Sequence, residues 1–349
     1  MVIQESNIYI KDLDVAIEHV SEIESLNKLK VLVTGATGTI GSFIVDMLLR
    51  YNQKNNAEIT VIVAGRNVEK LRRRFEYWKD QHLLVFSYDV TEMIKFNVKV
   101  DYVIHAAGNA HPSAFNGDPV GTIIGNVQGT YKLLEYTKTH GGKRLLYVSS
   151  GEVYGQGDLT MEEFAENYAG YLDSLLPRSC YPQSKRATEN LCASYTSQYG
   201  LETVIVRPCH TYGPEITQAD SRANAQFIRN VLHDEDIVMK SAGTQMRSYN
   251  YIADCASAII TVLLKGKSGE AYNIANSDVR ITIAELAQVI AKVGKRNVVY
   301  LDPTTLDIVN QSPIVKQVLS SKKLEALGWT GVYSIEEGVH HTIAILQGK

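Results

Sequence analysis

Tyr181 and Lys185 stand four residues apart in Cys180-Tyr181-Pro182-Gln183-Ser184-Lys185, with Pro182 suited to the first position of a helix. That spacing puts the phenol and the ammonium on one helical face. A free phenol titrates near pH ~10 and is a weak base at neutrality, but a nearby cation favours its anion. Ser150 closes an extended run, Arg144–Ser149, and can share a hydrogen bond with a substrate hydroxyl that Tyr181 deprotonates; Ser149 reads as its structural neighbour. Two residues on, in Ser150-Gly151-Glu152-Val153-Tyr154-Gly155, Glu152 supplies a carboxylate for acid or base work. Together these types suit chemistry on an alcohol and on a carbon near it.

A second group binds rather than reacts. Lys30–Thr34 runs into Gly35-Ala36-Thr37-Gly38-Thr39-Ile40-Gly41 and then a helix. Gly35 supplies the tight turn, Gly38 lets the backbone approach a pyrophosphate, and Gly41 permits close helix–strand packing. Thr37, Thr39 and Ile40 complete the loop, and the helix N-terminus offers N–H groups to the anion. This is the setting of a dinucleotide site. The second strand ends in Ala64-Gly65-Arg66-Asn67, without the carboxylate that would bond the ribose of NAD. Arg66 suits a 2′-phosphate, so the reading is NAD(P) with a lean to NADP.

The elements that must position these groups alternate short β-branched strands with amphipathic helices from Lys30 to Arg207, which implies a parallel sheet covered on both faces. The expected fold is α/β, a doubly wound sheet with a smaller C-terminal lobe. The expected divisions are an amphipathic extension over 1–29, a dinucleotide-binding domain over 30–208 and a substrate lobe over 209–349, the last two open to interleaving. Leu13, Ile17, Val20, Ile23 and Leu26 give the extension its helical rhythm, so it packs on the body or on a partner.

Composition fits this picture. The 349 residues are 45% hydrophobic, with 35 basic and 38 acidic side chains. That balance leaves no electrostatic footprint for nonspecific nucleic-acid binding. No run is long and apolar enough to span a membrane. The four cysteines have no C-x-x-C spacing, so they read as reduced thiols of a cytoplasmic protein, and no metal site is expected.

The G-x-x-G-x-x-G spacing, with Ser150, Tyr181 and Lys185, resembles the extended short-chain dehydrogenase/reductase superfamily, specifically the NAD-dependent epimerase/dehydratase family that modifies nucleotide sugars. Within it the chain is most similar to the UDP-glucuronate decarboxylase family. Pro177-Arg178-Ser179-Cys180-Tyr181, Thr211-Tyr212-Gly213-Pro214, Gln245-Met246-Arg247-Ser248-Tyr249 and Leu327-Gly328-Trp329 carry that likeness. The resemblance implies that Asp89 and Val90 hold the adenine, that Ala106, Ala107, Asn126 and Pro208 lie along the cofactor, and that Arg222 and Arg247 meet substrate. His210 stands where that family has Asn and is expected to donate to a phosphate or sugar. Gly151 replaces the Asp of dehydratases. The implied reaction is oxidation at C4 of a nucleotide sugar, loss of CO2, and return of the hydride. A C4-epimerase or an NADPH-dependent C4-reductase is the alternative, and a non-catalytic dinucleotide sensor the outlying one. The two long helices of the family pair across a twofold axis into a four-helix bundle, which implies a homodimer.

Overall fold

A computed structural model describes residues 2–108, 110–217, 220–304 and 314–349. Its frame is a seven-stranded sheet in which every pairing is parallel. The strands are β1 (Lys30–Thr34), β2 (Thr60–Gly65), β3 (Leu83–Ser87), β4 (Tyr102–His105), β5 (Arg144–Val148), β6 (Glu202–Pro208) and β10 (Ala271–Ile274), in the order β3-β2-β1-β4-β5-β6-β10. Side chains alternate between two cores. Val31, Val33, Val61 and Val63 face one, and Leu32 and Ile62 face the other. Strands buried on both faces read as continuous apolar runs, which is why they were visible in the sequence.

The first core lies under α2 (Thr39–Asn55) and α8 (Ile252–Lys265), which touch each other. The second lies under α5 (Pro119–Thr139) and α6 (Cys180–Tyr199), the most closely associated pair of helices. Asp118 caps α5 by accepting from Gly121 N–H, with Pro119 at the first position. In α6 a 3-10 turn, Pro177–Ser179, leads directly into the helix, so Pro182 is its third residue and not its first. Its missing N–H is still one of the unbonded groups of a helix start, so nothing is lost.

β10, from beyond residue 209, forms an edge of the main sheet by pairing with β6. Above the sheet's carboxyl ends, β9 (Met246–Tyr251) pairs with β7 (His210–Tyr212), β11 (Arg280–Thr282) and β13 (Lys316–Gln317). The N-terminal segment is docked on the body: α1 (Asn7–Glu18) buries Tyr9, Leu13 and Ile17 against α2, α8 and the C-terminal helix Ile335–Leu346. Among the described residues no helix is long and apolar enough to cross a membrane.

Candidate active site

The order of the sheet reverses between β1 and β4, and the loops leaving their carboxyl ends diverge there, which opens a crevice. The glycine turn fills its floor. Gly35 has a positive φ of 72°, and a Cβ there would lie 2.5 Å from the Ala106 carbonyl. A Cβ on Gly41 would lie 2.4 Å from Gly35 O. Gly38 meets only Gly35 O, at 3.4 Å, so its other side is open to a ligand. A cavity of about 230 Å³ adjoins this turn, walled by Gly35-Ala36-Thr37, Ala64-Gly65-Arg66-Asn67 and Lys70. A larger one, about 350 Å³, holds Ile40, Ala106, Ser150, Glu152, Tyr181, Lys185, Pro208, His210, Arg222 and Arg247 in its wall.

Three of these come just after strand ends, Ala106 after β4 and the other two after β5. Ser150 and Glu152 come just after β5, where Ser150 Oγ accepts from Glu152 N–H at 3.2 Å. The preceding residue, Ser149, also lines the cavity, and its hydroxyl donates to Glu189 at 2.6 Å. Tyr181 and Lys185 descend from α6. The Tyr181 ring stacks on Phe115, centroids 5.1 Å apart, and Ser150 lies near enough to its phenol to favour the phenolate. Burial pushes this phenol up to about 12, reinforced by the Glu152 charge and opposed by Ser150 and the Arg222 guanidinium. The sequence suggested a lowered phenol; in the folded chain desolvation outweighs the cations around it. Lys185 donates to Val148 O at 2.9 Å and lies 5.7 Å from the Tyr181 ring centre, and burial lowers it to about 8.

Glu152 is raised above the usual carboxyl range by burial, with Arg178 and Arg247 acting against that. Its Oε1 is 3.6 Å from Arg178, and its Oε2 has no hydrogen-bond partner among the described residues. Arg222 is clamped by Asp220 and donates to Thr211 O. Arg247 is buried, with N–H groups on the carbonyls of Met246, Val315 and Ile314. It brings charge to the cavity with much of its fork already used.

Several expected cofactor residues stand off the cavity walls. Asp89 accepts from Thr91 N–H and Oγ1, and Val90 fills the space beside Gly129. Asn126 donates to Ser184 Oγ at 2.9 Å, and Thr39 donates to Glu215 O. Ala107 follows Ala106 without lining either cavity. Conversely, Lys70, Phe115, Arg178 and Gln317 were not singled out for chemistry. Lys70 was discoverable, four residues after Arg66 on the same cavity wall. Arg178 stands three residues before Tyr181 in Pro177-Arg178-Ser179-Cys180-Tyr181. Gln317 carried no sequence signal, since only the pairing of β13 with β9 brings it in.

The model of the NAD dependent epimerase/dehydratase family matches residues 31–275. UDP-glucuronic acid decarboxylase 6 of Arabidopsis thaliana is 33% identical over 90% of this chain and 87% of its own length. UDP-glucuronic acid decarboxylase 1 of Danio rerio is 29% identical over 91% and 72%. Among solved structures, the dTDP-glucose 4,6-dehydratase DesIV of Streptomyces venezuelae, with NAD bound, superposes with a TM-score of 0.78 at 25% identity, covering 92% of this chain and 97% of that one. The UDP-glucuronic acid 4-epimerase of Bacillus cereus gives 0.76 at 22% identity over 92% and 99%, a likeness of fold.

Proposed function

Because the chain belongs to the NAD dependent epimerase/dehydratase family, we propose that it modifies a nucleotide sugar by transient oxidation at C4, as a UDP-glucuronate decarboxylase that forms UDP-xylose. The observation that carries this reading is one cavity lined by Ser150, Glu152, Tyr181 and Lys185, with Arg178 and Arg247 beside the carboxylate.

The glycine turn fits a dinucleotide: Gly35 and Gly41 leave no room for a side chain, while Gly38 leaves a face open. The loop and the helix start would hold the pyrophosphate, and Ala106, Pro208, Tyr181 and Lys185 would flank the nicotinamide. When bound, the dinucleotide would supply a reversible hydride acceptor, so it would not be consumed. Tyr181, a phenol in the free chain, would take the C4 hydroxyl proton once the cationic nicotinamide beside it favours its anion, with Ser150 beside the same hydroxyl. Lys185, lowered only to about 8, keeps its charge at neutral pH and steadies the phenolate. With a ketone at C4, the sugar carboxylate leaves as CO2. Burial favours the acid form of Glu152, which then gives the C5 proton. Arg222 and Arg247 supply positive charge to the substrate's anionic groups.

Arg66 and Lys70 on one wall support NADP over NAD. The same pair favours the second reading, an NADPH-spending C4-reductase, over an epimerase. The outer face of α5 exposes Val120, Ile123 and Tyr131 in one stripe, which supports a homodimer through a four-helix bundle. Four free cysteines, all buried, support a reducing, cytoplasmic setting.

The test is incubation with a panel of UDP-sugars and either dinucleotide, read by mass spectrometry. UDP-glucuronate should yield CO2 and UDP-xylose with no net change in the dinucleotide, and NADP should bind tighter than NAD. Tyr181→Phe should lower kcat roughly 10²- to 10⁴-fold and leave dinucleotide binding intact. An epimer pair, or loss of NADPH in step with product, would replace the decarboxylase reading.

A further inference from the structure

One wall of the 230 Å³ cavity is the glycine turn that opens α2. The other is Ala64-Gly65-Arg66-Asn67 with Lys70, where α3 (Val68–Phe75) begins. The width of the cavity is therefore the separation of these two helix starts.

A single guanidinium joins the two helices. Arg74 stands one turn past Lys70 on α3. Its Nη1 and Nη2 donate to Asp46 Oδ1 and Oδ2 at 3.3 and 2.6 Å, and Asp46 is fully buried two turns into α2. The same Nη2 lies 2.6 Å from Glu215 Oε1, in the segment after β7. The main-chain oxygen of Glu215 accepts in turn from Thr39 Oγ1 at 3.1 Å, at the first residue of α2. The contacts close a ring that runs from Arg74 to Asp46, back along α2 to Thr39, across to Glu215 and home to Arg74.

The N-terminal segment completes this ring. Gln4 Nε2 donates to the Arg74 main-chain oxygen and to Asp46 Oδ1, each at 3.2 Å, and Tyr9 Oη donates to Asp46 Oδ2 at 2.6 Å. Both residues stand before residue 31, where the family match begins. A planar guanidinium held between two carboxylates fixes direction as well as distance. Walls held in this way spare a ligand the cost of ordering them when it binds. Gln4, Arg74 and Glu215 line neither cavity, so they reach a ligand only through the groups they hold. Resting on the dinucleotide reading above, we propose that Arg74 is a positioning residue for that ligand: braced by Gln4 and Tyr9 of the N-terminal segment, it holds α2, α3 and the Glu215 segment so that Arg66 and Lys70 face the glycine turn at a fixed separation.

The experiment is calorimetric titration of wild type, Gln4→Met, Glu215→Gln, the double variant and Arg74→Lys with NAD, NADP and UDP. Denaturant unfolding without ligand checks that each variant is folded under the titration conditions. Gln4→Met and Glu215→Gln should each weaken NAD and NADP roughly 3- to 10-fold and leave UDP unchanged. Loss of a carboxylate near an anionic ligand would by charge alone tighten it, so weakening by Glu215→Gln reads position. The double variant should lose little more than the worse single one, because both act through Arg74. Arg74→Lys, which keeps the charge and loses the fork, should match it. If Gln4→Met or Arg74→Lys does not fold, Glu215→Gln, at a partly exposed side chain, decides the question. Wild-type dinucleotide affinity in the folded variants would overturn the proposal, as would a loss shared equally by UDP. If wild type binds neither NAD nor NADP, the dinucleotide reading itself fails and takes the proposal with it.

Discussion

Lys185 is a buried charge kept for use at a cost to stability. Its folded value of about 8 lies below the 10.5 of a free lysine, because burial disfavours the ammonium. Between those values the unfolded chain binds more protons, so stability rises as pH climbs from about 8 to about 10.5. Below pH 8 the full penalty stands, at most roughly 3 kcal/mol. The hydrogen bond to Val148 O offsets part of it. Lys185→Met should therefore stabilise the chain at pH 7 by about 1–2 kcal/mol, lose that advantage near pH 10.5, and abolish turnover. Denaturant unfolding at the two pH values measures this; a variant less stable than wild type at pH 7 would refute the account. The Tyr–Lys pair could be read from spacing alone. The direction in which burial moves the phenol could not, because it depends on Phe115, Ser150 and Glu152, which the chain brings to Tyr181 from two other segments.

Among the elements, the N-terminal helix is held by two buried carboxylates. Asp46 on α2 accepts from Tyr9 Oη, Trp78 Nε1 and Gln4 Nε2 and pairs with Arg74. Asp12 on α1 accepts from Tyr251 and Tyr333 hydroxyls and faces His341 Nδ1. Leu13 and Ile17 supply the apolar side of the same contact. Removing one partner of such a network leaves the others buried and unpaired, at a cost of about 3–5 kcal/mol. Asp46→Ala should lower global stability by that amount and open α1 to limited proteolysis. An unfolding free energy within about 0.5 kcal/mol of wild type would show that the carboxylate anchors nothing. The helix itself was legible as a three- and four-residue rhythm. Its place on the body was not, since periodicity shows which face is apolar and says nothing about what covers it.

At the scale of the whole molecule, an apolar stripe lies on the outer face of the most closely associated helix pair. Val120 is 69% exposed, Tyr131 49% and Ile123 42%, at helical spacing along α5. A second copy packing there would cover them, so light scattering should give twice the chain mass and Tyr131→Glu should give one. A wild-type monomer at micromolar concentration would remove the dimer from the proposal.

Local pattern determined much of this protein in advance. The glycine turn, the strands of the parallel sheet, the Tyr–Lys spacing and the serine at a strand end all follow from near neighbours, where steric and periodic rules act within a few residues. Tertiary structure alone decided the rest. It placed β10 in the main sheet, brought Gln317 into the cavity wall with His210, and pushed up the Tyr181 phenol that neighbouring charge was expected to lower. Those outcomes rest on burial and on partners far apart in the chain, and desolvation and hydrogen-bond pairing exist only once the chain has closed around them.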